Sequence, residues 1–182
     1  MKAFAQRLEN LHATRPVTVL GAAVIDVIAD AYALPWRGCD IELKQQGVNI
    51  GGCALNIAIA LKRLGIAAQN ALPVGHGVWA DIIRNAMAKQ DLHSAIEAET
   101  GDNGWCLSLA DASGERTFIS MFGLERRMKP DWFERFDIES FDYFYVSGYQ
   151  AEGENGRVIL EALSRKRPDA VVVFDPGPRV HF

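Results

Sequence analysis

Cysteine and histidine are sparse in this chain, no long basic stretch occurs, and no apolar run is long; each gap removes a class of function. The three cysteines, Cys39, Cys53 and Cys106, are odd in number, far apart and without a C-x-x-C pair, so neither a zinc ribbon nor a dithiol redox site is indicated. Of the four histidines, His12, His76, His93 and His181, no two stand at the helical spacing of metal ligands. Lys and Arg number 19 against 23 Asp and Glu, a formal net charge of −4, and no stretch supplies the basic face that neutralises phosphates. Nucleic acid and membrane are therefore not expected as partners. The longest apolar run, Val19 to Ile25, ends at Asp26, far short of a membrane span. Residues 1–15 carry Lys2, Arg7, Glu9 and Arg15 and lack the continuous apolar core of a signal peptide, so a cytoplasmic location is expected. Three enzyme signatures are missing as well. There is no G-x-x-x-x-G-K-[ST] phosphate loop and no G-x-S-x-G elbow, and Gly75-His76-Gly77 lacks the third glycine and the ribose-binding acid of a dinucleotide fold.

What remains is an ordinary globular composition, 49% hydrophobic and 23% charged over 182 residues, enough for one domain. Phe4, Leu8 and Leu11 predict a short leading helix over residues 1–15 that stops before Pro16. Residues 17–25 (VTVLGAAVI) read as a strand buried on both faces and closed by Asp26. Residues 30–50, with Pro35 and Gly38, read as an irregular excursion or edge strand. Residues 53–64 (CALNIAIALKRL) form the clearest helix, with Gly65 as its C′ cap. A short strand is expected at 71–75 and an amphipathic helix at 78–90. Trp105 to Ala110 and Arg116 to Met121 make a hairpin around Asp111–Glu115. Strands at 143–147 and 170–174 with a helix at 154–166 between them complete a β–α–β unit, because parallel strands need a crossover. The expected fold is α/β, a doubly wound core over residues 16–182 with a small β lid built from insertions at about 30–50 and 103–122.

Four places could carry chemistry. Gly51 and Gly52 let the backbone approach a ligand ahead of a helix N-terminus, and Asn56 offers both a donor and an acceptor to hydroxyls; a tight turn before a core helix explains them equally simply. Asp26, at the carboxyl end of a strand, could accept two hydrogen bonds from a sugar diol or serve as a loop carboxylate. Glu115 sits in the hairpin turn, where a solvated carboxylate is common. Arg179, in D-P-G-P-R (175–179), could pair with an anion or lie in a proline-punctuated loop. Trp105 could stack on a ligand, although packing is the commoner use of such a ring.

The order of these features resembles the ribokinase, or PfkB, family of carbohydrate kinases. The carrying residues are Asp26, the Gly51–Gly65 segment ending in Arg63-Leu64-Gly65, Val74-Gly75, G-E-R-T-F (114–118) and D-P-G-P-R (175–179). The resemblance implies a ribokinase-like core and a kinase that transfers the γ-phosphoryl group of ATP, with Mg2+, to a hydroxymethyl group of a sugar or nucleoside. It implies Asp26, Gly51, Gly52 and Asn56 on the substrate, Glu115 reaching in from the lid, and Arg179 as the arginine of a D-x-N-x-R pattern in which Gly177 replaces the Asn. Cys53 stands where ribokinases carry a lysine, which argues against ribose. The family's D-T-x-G-A-G-D segment, with its catalytic Asp and anion hole, and its N-x-x-E magnesium pattern do not occur between residues 1 and 182. By that resemblance this is an N-terminal, substrate-binding part, inactive alone, whose base lies beyond Phe182, and a homodimer through the lid is open to it. The alternative is a truncated remnant that binds a sugar without catalysis. The apolar last strand is expected to leave a sheet edge that needs cover.

Overall fold

The computed structural model describes residues 15–134 and 136–177; residues 1–14 of the expected leading helix, and Arg179, lie outside them. Elements follow in the order β1 (Val17–Leu20), β2 (Val24–Asp30), β3 (Lys44–Gly51), α1 (Cys53–Arg63), β4 (Ala68–Ala71), α2 (Val78–Ala88), β5 (Trp105–Ala110), β6 (Arg116–Met121), α3 (Asp131–Glu134), β7 (Tyr143–Ser147), α4 (Gly153–Ser164) and β8 (Val171–Asp175). Among the described residues no helix is long and apolar enough to cross a membrane.

Two sheets organise the molecule. Sheet A has the order β4-β1-β7-β8 and is parallel throughout; sheet B, the lid, has the order β3-β2-β5-β6. Within sheet B, β2 runs parallel to β5 while β3 and β6 pair antiparallel at the two edges. Alternation along the strands of sheet A feeds two cores, one on each face. Val19 and Tyr145 pack with Leu55 and Ala58 of α1 and Ile83 and Met87 of α2. Leu20, Phe144 and Val146 pack on the other side with Val158, Ile159 and Ala162 of α4 and with Phe133. Helices on both faces of a parallel sheet are the doubly wound arrangement.

The α1 helix closes as the sequence predicts. Gly65 N–H donates to Lys62 O and Ile66 N–H to Leu61 O, the two bonds of a Schellman ending. The hairpin is also where it is expected. The Asp111 carboxylate accepts from Ser113 N–H, Ser113 Oγ and Glu115 N–H and so holds the turn.

Two readings are corrected. The apolar run 17–25 is not one strand: β1 ends at Leu20 in sheet A and the chain crosses at Gly21–Ala23 to begin β2 in sheet B. Gly21 passes so close to α1 that a Cβ there would sit 2.2 Å from the Ala54 methyl, and its N–H still bonds Ala71 O. Asp26 consequently lies inside β2 and does not close a strand. The strand expected at 71–75 lies at 68–71, because Pro73 has no N–H to give to a ladder.

Candidate functional site

A cleft of about 470 Å3 opens between the lid and the carboxyl-end loops of the core, within the size range of small-molecule sites. Its floor comes from the crossing segment and the start of α1: Ala22, Gly52, Cys53 and Asn56. Its lid wall includes Asp26, Cys106, Phe118 and Ser120, and its far side Ser147 at the end of β7 with Tyr149 and Gln150 of the loop that follows.

The register of sheet B explains the lid wall. Asp26 is the cross-strand partner of Cys106, and Cys106 of Ser120, so these three form one row across β2, β5 and β6 on the cleft face. Asp26 is only partly exposed, and burial lifts its carboxyl above the ordinary value of 3.8. Among the described residues no side chain or backbone N–H donates a hydrogen bond to it. Space around it is set by glycine. A Cβ on Gly51 would lie 2.0 Å from Asp26 Oδ2. Gly52, the N-cap of α1, has φ 103 and passes 2.6 Å from Ala22 O by the same measure, so a side chain is excluded by conformation and by contact. Asn56 is exposed one turn into α1, its N–H bonded to Gly52 O and its side chain on the cleft.

Cys53 lines the same floor. Burial first, then the charge of Asp175, pushes its thiol up; a backbone hydrogen bond opposes them in part, and the charge of Asp26 adds the smallest upward effect. The thiol therefore stays protonated and acts as a small apolar wall near neutral pH. Asp175, at the end of β8, is held by Tyr145 Oη, which donates to its Oδ2 at 2.9 Å, and by Gly177 N–H at 3.1 Å. Desolvation, then that carboxylate, drives the Tyr145 phenol far up.

The lid is rooted by buried polar groups that sequence reading passed over. Glu125 is 3% exposed; its two oxygens accept from Gly104 N–H and Gly123 N–H, each at 2.9 Å, where the chain enters β5 and leaves β6. Arg126 donates to Tyr149 O, pairs with Glu152 at 2.8 Å and lies over the Phe122 ring. Asn103, 2% exposed, accepts from Gly75 N–H and donates to Ala23 O and Pro73 O. Polar residues two places before the hairpin and four and five places after it were the available signal, but nothing local distinguishes them from a solvated loop.

Of the residues singled out in the sequence, Asp26, Gly51, Gly52 and Asn56 come together. Glu115 does not join them: it is exposed at the hairpin tip and outside the cleft lining. Trp105 stacks on Trp79 of α2, centroids 5.5 Å apart and planes at 28°, which is the packing role. Gly75-His76-Gly77 leads into α2, whose first N–H groups are already taken: the Asp102 carboxylate accepts from Trp79 N–H and Ala80 N–H.

Comparison with known proteins agrees with this architecture. Residues 14–177 match the model of the pfkB family carbohydrate kinases. The chain belongs to that family. It is 56% identical over 173 residues to the uncharacterised sugar kinase YegV of Escherichia coli K12, covering 95% of this chain and 54% of that protein. Ribokinase from Giardia lamblia superposes with a TM-score of 0.78 at 18% identity, over 91% of this chain and 52% of its own. Fructokinase from Xylella fastidiosa with bound ATP superposes with a TM-score of 0.72 at 20% identity, over 92% and 53%. The chain thus spans about half the length of the relatives it matches. The fold is ribokinase-like, parallel sheet A carrying the mixed sheet B as its lid.

Proposed function

We propose that this chain supplies the substrate-holding part of an ATP-dependent kinase that phosphorylates a hydroxymethyl group of a sugar or nucleoside. One observation carries the reading: a partly buried carboxylate, Asp26, faces a lidded cleft with no donor to it among the described residues, beside Asn56 and two glycines that keep side chains away. Such a carboxylate accepts hydrogen bonds from the two hydroxyls of a diol, while Asn56 can donate to one oxygen and accept from another. Phosphoryl transfer depends on positioning, and this cleft orients the acceptor.

ATP and Mg2+ are the donor and ion such kinases use, but the described residues do not fit them. The glycine-flanked N-terminus of α2 is capped by Asp102, and no group of three or more His, Cys, Asp or Glu among the described residues could hold a metal. On this reading the residues of this chain bind and orient the acceptor, and the proton-accepting step is not assigned to any of them.

Titration of the protein with sugars and nucleosides, followed calorimetrically, tests the reading. Asn56→Ala and Asp26→Asn are each expected to weaken the bound member by roughly 10–100-fold, about 1–3 kcal/mol for a hydroxyl contact left unmade. Unchanged affinity in both variants removes the site.

A further inference from the structure

The lid wall says more about the substrate than the Asp26 end does. Phe118 and Phe122 stand at alternate positions with Ser120, so all three side chains leave the β6 line on the cleft side. Both rings are unusually bare, 58% and 60% exposed, yet they line a concave site and are not on a convex surface. Bare apolar rings in a groove are the mark of a ligand surface. Arg126 lies 4.7 Å over the Phe122 ring centroid and fixes that ring's orientation.

The distance from this aromatic wall to the carboxylate is set by the sheet. Asp26 is on β2 and the rings are on β6, two strand spacings away, about 10 Å. The strand between them presents small side chains, Cys106 opposite Ser120 and Ser108 opposite Phe118, both buried. A lone sugar ring is shorter than that span, and its outer hydroxyls would lose water against the rings without gaining a partner. A sugar bearing a flat ring at its anomeric carbon fits: hydroxyls at Asp26 and Asn56, the sugar over Cys106, the flat ring against the phenyl groups.

We propose that the cleft selects a nucleoside, with Phe118 as the stacking face for its base. This rests on the assignment of Asp26 and Asn56 to the sugar end. The test titrates wild type and the Phe118→Ala, Phe118→Tyr and Asp26→Asn variants with adenosine, uridine and D-ribose. Phe118 is exposed, so its removal leaves the fold intact, which a melting curve verifies. A nucleoside is expected to bind at least about ten-fold more tightly than ribose, to lose about ten-fold or more with Phe118→Ala, and to be retained by Phe118→Tyr. Ribose bound as tightly as the nucleosides, dependent on Asp26 and indifferent to Phe118→Ala, overturns the base-stacking face and leaves the sugar end standing. Absence of binding by all three ligands overturns the nucleoside assignment. If other sugars then bind in an Asp26-dependent way, the sugar end survives; if none does, it falls too.

Discussion

Asp26 costs the folded state something, and that cost separates a binding role from a structural one. Its carboxyl is raised by burial, so the native protein holds its proton to higher pH than the unfolded chain does. Between the ordinary value of 3.8 and the raised one, the native state binds more protons, and stability falls as pH rises through that window. Above it the destabilisation is complete and constant. Asp26→Asn, which keeps the shape and removes the charge, is therefore expected to melt higher than wild type at pH 7. The gain should vanish once Asp26 is protonated in both the folded and the unfolded wild type, well below pH 3.8, and thermal melts across pH check it. Higher stability together with weaker ligand binding is the signature of a group kept for function. A residue kept for packing would lose both.

At the scale of elements the lid is a hairpin clamped at its root. Glu125 satisfies both Gly104 N–H and Gly123 N–H in a buried setting, so Glu125→Ala is expected to cost about 1–3 kcal/mol for each group left unpaired. Urea denaturation measures the loss, and hydrogen exchange should quicken along β5 and β6. The hairpin itself was legible from sequence to the residue, because β5 and β6 alternate and the Asp111–Gly114 turn is written in short-range chemistry. The same holds for β7, and α1 was read to within one residue of its C-terminal end. Two neighbours in sequence were not separable: β1 and β2 both read as buried apolar strand, and only their partners, Ala68–Ala71 for one and Trp105–Ala110 for the other, reveal that they belong to different sheets. The cleft face of β6 was hidden for a related reason. Alternation gives two faces, but which one meets Asp26 is decided by the β2–β5 register, a long-range fact. Glu115 lies on the turn, as its sequence position implies, one residue before β6 begins.

At the largest scale, β8 is an edge of sheet A among the described residues. There it pairs only with β7, and Val171, Val172, Val173 and Phe174 are between 38% and 54% exposed, so apolar groups on both of its faces are uncovered by those residues. An apolar, unprotected edge strand recruits another strand. Residues 1–182 taken alone are expected to self-associate with rising concentration in light scattering, and a Val171→Lys, Val173→Lys double variant, which charges one face of the strand, should shift them toward monomer; a monodisperse monomer in both removes the idea. The crossing of the two sheets also sets an order of events. Asn103 bonds a backbone carbonyl 80 residues earlier in the chain, and β2 can join β5 only after that whole stretch has been gathered in. The β5–β6 hairpin closes its own short loop quickly, while the parallel seam beside it must wait for a long loop to close. The cleft is therefore a late product of folding: the lid is made early, and becomes a lid only when the rest of the chain has come to meet it.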